Sequence, residues 1–397
     1  MFVGEIGGSL ESDLVYKVLR LQDLGQNTEG TAMDRTEAVA WIKSVTRTMR
    51  ASQSKTLADL AVAALSVERV SLAEVGRQLP DIAVKHGIKR VDRFLGNRRI
   101  IVSEAMDGVI RQVVRRRGKQ ALVIALDWVE VRNFHTLAAV LVGPGRGVPL
   151  LWATYPEWEL HRSQNNLEEG LLRLLRTLIP ESVPMIVLAD RGFGRTEMAR
   201  LCQHLGFHYV IRISPDVWVQ SRRFHGKLLD YPVKKGICHR WRDLQYRRQN
   251  PVRQHVVIHW RRGLPAERDE CWFLMTDLDW SGRALVELYG QRMTIEQLFR
   301  DQKNRRWGWA LRNIQVTQAA RFDRLLLILA LAYLLLVGLG HYCRTHFCPS
   351  QWCSNTRRYD CSAFTVGRRM LSRTSVGVHQ VLDSLFQAIR QVAPKWG

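Results

Sequence analysis

Two aspartates in this sequence directly follow uninterrupted apolar runs. Val123-Ile-Ala-Leu leads into Asp127, and Met185-Ile-Val-Leu-Ala leads into Asp190. Such runs read as strands buried on both faces, and the ends of such strands are where an α/β sheet opens its crevice. A carboxylate there loses hydration unless it is paired or holds a cation. The plainer alternative is a strand-end aspartate that caps the next loop. A third group lies in Leu288-Tyr-Gly-Gln-Arg-Met-Thr-Ile-Glu-Gln-Leu-Phe-Arg-Asp-Gln-Lys303, which carries Tyr289, Arg292, Glu296 and Lys303. On one continuous helix seven residues turn about 700°, so Tyr289, Glu296 and Lys303 share a face, with Arg292 within roughly 60° of it. That face, about 21 Å long, offers one carboxylate to a cation and three donors to a phosphate backbone. An ordinary solvated charged stripe has the same pattern. Hard oxygen ligands of this kind suit Mg²⁺ or Mn²⁺.

The spacing Tyr-x2-Arg-x3-Glu-x6-Lys resembles the YREK signature of DDE transposases from bacterial insertion sequences. Ile-Ala-Leu-Asp127 and Val-Leu-Ala-Asp190-Arg-Gly-Phe-Gly resemble that family's two catalytic aspartate motifs. The resemblance covers residues 120–340 well and the N-terminal region more loosely. It implies an RNase H-like core in which a β-rich insertion separates the second aspartate from the glutamate, here 106 residues apart. It implies that Asp127, Asp190 and Glu296 are catalytic and hold two divalent ions, which activate a water or a 3′-hydroxyl for in-line displacement. It gives Tyr289, Arg292 and Lys303 the task of gripping phosphates near the transposon end. Some members stack a flipped base on a tryptophan in the strand leading back to the YREK helix. Trp272, in Glu270-Cys-Trp-Phe-Leu-Met-Thr276, holds that place, and an indole is a suitable stacking platform. The same residue also fits a core position on an apolar strand. The expected partners are double-stranded DNA, namely terminal inverted repeats and target DNA, and a second copy of the chain bridging two ends.

The elements that must position these groups can be read around them. Strands are expected at 123–127, 136–142, 148–155, 184–190 and 207–213, with helices at 167–178 and 196–205, which gives a mixed α/β sheet with helices packed on it. From Glu287 the pattern reads as helical to about Gly340. A last amphipathic helix falls near 378–392. Upstream, Ser71-Leu-Ala-Glu74 is a capping-box pattern with Pro80 as a stop. The short basic helix around Lys85–Asn97 follows, a succession that resembles a helix-turn-helix, with Lys89, Arg90 and Arg93 as DNA contacts. The expected organisation is a loose tail over 1–33 and a helical DNA-binding region over 34–118. The core follows in two parts, 119–213 and 271–340, divided by a basic β-rich insertion over 214–270. A helical C-terminal region over 341–397 is suited to dimerisation. Met33 is an alternative start.

Charge points to the same partner. The chain carries a formal net charge of +22 over 397 residues, which disfavours an enzyme of small neutral metabolites and favours a polyanion. Residues 212–262 hold thirteen Lys/Arg against three Asp/Glu, and residues 81–120 eleven against four. Seven cysteines are too few for a disulfide scaffold. With no secretory leader pattern in the first residues, a reducing cytoplasmic setting is expected. The apolar run Leu325–Leu339 is short for a membrane span and reads as a buried core helix, so no membrane partner is expected. Cys343, Cys348, Cys353 and Cys361 with His341 and His346 lack paired zinc-ligand spacing. Gly143-Pro-Gly-Arg-Gly147 lacks a P-loop lysine. Trp307 and Trp309 either pack on DNA or close the helix against the core. The leading expectation is a DDE transposase that cuts its element's ends and joins them to target DNA. A DNA-binding protein that keeps the fold without transposing, or a stand-alone RNase H-like nuclease, are the alternatives.

Overall fold

A computed structural model describes residues 33–161, 163–260, 271–306, 308–354 and 361–395. The 1–32 part of the expected tail and Trp307 lie outside the described residues. Five helices open the described chain: α1 (Arg35–Val45), α2 (Ala51–Leu65), α3 (Leu72–Arg77), α4 (Val84–Gly96) and α5 (Val102–Arg116). The expected cap forms, with Ser71 Oγ accepting from the Glu74 amide at 3.0 Å. Helices α3 and α4 cross through two glycines: a Cβ on Gly87 would lie 2.3 Å from the Gly76 carbonyl oxygen. Only paired glycines permit that approach of backbones.

The strands follow as β1 (Leu122–Val131), β2 (Phe134–Leu141), β3 (Val148–Pro156), β4 (Met185–Ala189), β5 (His208–Arg212), β6 (Trp218–Gln220), β7 (His225–Lys227), β8 (Cys238–Tyr246), β9 (Val252–Trp260) and β10 (Cys271–Thr276). Among the described residues they form one sheet in the order β3-β2-β1-β4-β5-β10-β9-β8-β6-β7. β1, β4 and β5 run parallel, β2 pairs antiparallel with β1, and β3 pairs antiparallel with β2, which is the RNase H-like arrangement. The parallel strands carry unbroken apolar runs because helices cover both their faces. Two of these helices are α6 (Gln164–Leu178) and α7 (Thr196–His204). The basic β-rich stretch continues this same sheet beyond β5, through β10 and β9.

Apart from a single turn at Glu157–Leu160, the remaining α-helices of the described residues are α8 (Gly282–Gly290), α9 (Met293–Lys303), α10 (Ala319–His346), α11 (Ala363–Met370) and α12 (Val378–Val392). The helix expected from Glu287 to Gly340 is therefore broken twice. A turn at Gln291–Arg292 separates α8 from α9, with the Arg292 amide bonded back to the Tyr289 carbonyl at 3.0 Å. After Lys303 the chain folds under α9: a Cβ at Gly308 would fall 1.8 Å from the Asp301 carbonyl oxygen, and Ala310 takes φ 53°. Helix α10 is long and apolar enough in composition to cross a membrane, yet 89% of its most apolar stretch is buried in the protein. It is the core helix, packed on α2, α4, β3, α11 and α12.

Candidate active site

The parallel ladder between β1 and β4 ends at the pair Leu126 and Ala189. Asp127 and Asp190 are the next residue on each strand. β4 stops there, but β1 runs on to Val131, paired only with β2. Asp127 therefore lies within its strand, at the point where its neighbour ends, rather than at the strand end expected from the sequence. Asp190 opens a tight turn, and its Oδ1 accepts from the Gly192 amide at 2.9 Å. The turn is pinned from the sheet extension, since the Tyr246 hydroxyl donates to the Gly194 carbonyl at 2.8 Å. Gly194 is required there, because a Cβ would meet the Arg212 carbonyl oxygen at 2.9 Å.

Glu296 comes from α9. Ile295, Leu298 and Phe299 bury one side of this helix. A buried ion pair fixes its far end: Arg146 Nε donates to Asp301 Oδ2 at 2.5 Å, and the Tyr333 hydroxyl donates to the same oxygen at 3.1 Å. The Gly143–Gly147 turn, which carries no nucleotide motif, thus serves to hold the glutamate's helix. Arg292, at the start of α9, reaches both other parts of the site. Its Nη1 donates to Asp127 Oδ2 at 3.2 Å and its Nη2 to Glu296 Oε1 at 2.6 Å.

Electrostatics couple the three carboxylates. Burial first, and then the charges of Asp190 and Glu296, push Asp127 up to about 6 from 3.8, against the opposing pull of Arg292. A buried carboxylate raised further by neighbouring acids marks a place that would accept positive charge. Among the described residues no three His, Cys, Asp or Glu groups stand close enough to enclose a cation as they are, and Arg292 lies between two of the acids. A cavity of about 680 Å³ opens on this site, and its lining includes Asp127 and Glu296 together with Arg300, Lys303, Arg305 and Arg312. Burial, then the Arg312 charge, push Lys303 down from its ordinary value. Glu130 lines it as well, so the cavity combines three acids with a larger set of cations.

The expected phosphate-gripping stripe is only partly assembled. Tyr289 ends up on α8, before the turn, 4% exposed, instead of on a shared exposed face with Lys303. Its ring stands edge-on to half-buried Trp272 at 5.1 Å, and its hydroxyl, pushed up chiefly by burial, interacts with Arg292. Trp309 is fully buried against Tyr333 and Phe364, so it closes the core. In the N-terminal helices Lys89 and Arg93 are exposed on a cleft of about 390 Å³ between α2 and α4. Arg90 turns back to pair with Asp59 at 2.6 Å.

Sequence reasoning missed Arg146, Asp301 and Glu168. Glu168 is 1% exposed on α6 and accepts from the Trp128 indole at 2.8 Å. Its signal is an acid on the helix face that carries Leu171, Leu172 and Leu175, which periodicity alone does not separate from its neighbour Glu169. No curated protein matches the chain. The family comparison covers Asp190 and Glu296 but begins downstream of Asp127. Residues 159–335 match the family model of the transposase DDE domain.

Proposed function

We propose that this chain is a transposase of the YREK type, which cleaves DNA at the ends of its own insertion sequence and joins the 3′ ends to target DNA. The observation that carries the reading is the convergence of Asp127, Asp190 and Glu296 from β1, the β4 turn and α9 on one electrostatically coupled site beside a cationic cavity. The donor set fits divalent cations: all three are hard oxygen ligands, and burial, with the charges of Asp190 and Glu296 behind it, raises Asp127 against the pull of Arg292. Asp127, Asp190 and Glu296 would hold two Mg²⁺ or Mn²⁺ ions. The chemistry such ions supply when bound is activation of the attacking oxygen and stabilisation of the leaving one.

The chain's own residues supply the rest. Arg292 neutralises Asp127 and Glu296 in the free protein, so it and a cation compete for the same two carboxylates. A guanidinium released from them is placed to grip a phosphate at the scissile position. Lys303, Arg300, Arg305 and Arg312 line the path of the backbone. Buried Tyr289 steadies Arg292 and supports Trp272, the stacking platform for a base. Lys89 and Arg93 of α4 contact the terminal repeat, with 34–118 as the end-reading region, 214–270 as a second basic surface and 341–397 as the dimer-forming part. The protein works as a homodimer on DNA in the bacterial cytoplasm.

The test supplies labelled duplexes carrying the element's inverted repeats, together with target plasmid, with and without Mg²⁺. The reading expects Mg²⁺-dependent nicking at the repeat boundary and covalent joining of pre-cut 3′-hydroxyl ends to the plasmid. Nicking without joining would indicate a nuclease. Binding with neither would indicate a DNA-binding protein that keeps the fold.

A further inference from the structure

Hydrogen bonding between β1 and β4 stops at Leu126 and Ala189. Past that point no ladder bond sets how far apart Asp127 and Asp190 stand. One buried side chain takes up that task from outside the sheet. Glu168 Oε1 accepts from Trp128 Nε1 at 2.8 Å and from Gln164 Nε2 at 3.3 Å. Its Oε2 pairs with Arg195 Nη1 at 2.5 Å, the two side chains being 1% and 12% exposed. Trp128 is the residue after Asp127, and its amide donates to Asp127 Oδ1 at 2.9 Å. Arg195 closes the turn that Asp190 opens, its amide bonded to the Phe193 carbonyl at 2.8 Å. A single carboxylate therefore grips the strand of one aspartate and the turn of the other.

We propose that Glu168 is a positioning residue that sets the spacing of Asp127 and Asp190 through Trp128 and Arg195. The proposal rests on the reading of those two aspartates as cation ligands. A carboxylate this deep costs several kcal/mol to desolvate unless its partners are well placed, and a hydrophobic residue would anchor α6 on the sheet without that cost. What a hydrophobic residue cannot do is hold an indole N–H and a guanidinium at fixed distances. Outer hydrogen bonds that orient metal ligands are typically worth about 10–100-fold in metal affinity.

The test uses the full chain and Mn²⁺ alone, read by loss of the free-ion paramagnetic resonance signal, alongside thermal melting and cleavage of a labelled end duplex. Trp128→Phe keeps an aromatic ring, though a smaller one, and the Glu168–Arg195 pair, and removes the N–H donor. Glu168→Gln keeps an acceptor for the indole and removes the charge opposite Arg195. Both variants are expected to need about tenfold more Mn²⁺ for half-occupancy and to cleave more slowly, with end binding retained. Thermal melting sets the temperature at which each variant is fully folded, and Mn²⁺ occupancy is compared there, which separates positioning from folding should either variant fold poorly. Wild-type Mn²⁺ occupancy and cleavage in Trp128→Phe, or in a folded Glu168→Gln, would overturn the proposal and leave Glu168 a structural anchor. Asp127→Asn is the control: if it binds Mn²⁺ like the parent, the cation-ligand reading itself fails.

Discussion

At the scale of residues, the site is built around a shortage of positive charge that Arg292 partly fills. Asp127 has a folded pKa of about 6 against an ordinary 3.8. The folded state thus favours its protonated form. The stability this gives is present below pH 4 and is lost as pH rises through 6. Asp127→Asn fixes the neutral form, so it should be more stable than the parent at pH 7, by about 1–3 kcal/mol. The gain should vanish at pH 4. Denaturant melts at the two values check this, and a destabilised variant at pH 7 would contradict the assignment of burial as the cause. Arg292→Ala removes the competitor for two carboxylates. Without DNA it should bind Mn²⁺ roughly three- to tenfold more tightly, given the size of a charge interaction at such range. On DNA it should cleave more slowly, for want of its phosphate contact. Calorimetric titration measures the first effect. Weaker binding would show that Arg292 organises the ligands instead of standing in for a cation.

At the scale of elements, α9 delivers Glu296, and its position depends on Arg146 reaching from the β2–β3 turn. Asp301, the partner, is buried beside Tyr333, and burial raises its pKa. Arg146→Met should cost about 3–5 kcal/mol, the usual penalty for stranding a buried charge, and should slow cleavage. Asp301→Asn in the same chain should recover much of the stability, because the stranded charge is gone. A thermal melt of the single and double variants decides it, and no recovery would mean that packing rather than charge is at stake. The strands carrying the aspartates were legible in the sequence because buried parallel strands have no polar face to confuse the pattern. The break between α8 and α9 was not, because the heptad-like spacing of Tyr289, Glu296 and Lys303 runs straight across it. The pairing of β8 with β9 was hidden for another reason: polar and apolar residues mix on their half-buried positions, and the register shifts between Trp241 and Leu244. Glu168 and Arg146 were illegible because each acts through partners distant in sequence.

At the scale of the whole molecule, the N-terminal helices are bound into the core. Buried Arg324 of α10 donates to the Leu95 carbonyl at 2.8 Å and to the Ile100 carbonyl at 3.3 Å, at the end of α4. Arg321 of the same helix pairs with Asp92. Helix α10 also covers much of α2. A fragment spanning 34–118 should therefore melt well below the full chain and bind end DNA more weakly. Circular dichroism and a salt series on the fragment check this, and a fragment as stable as the full chain would show that the contacts with α10 contribute little. The +22 charge is spread over the cavity wall, the α4 cleft and the sheet extension, so binding should survive loss of any one acidic residue. That leaves the carboxylates as the centre of the account. Asp127→Asn, Asp190→Asn and Glu296→Gln are to be compared with the parent on one labelled transposon end, scoring bound and cleaved DNA in the same Mg²⁺ reactions. The account expects all three to bind the end within about threefold of the parent, since the cationic surface is intact, and to cleave at least about a thousandfold more slowly. Cleavage near the parental rate by any one of them would contradict it.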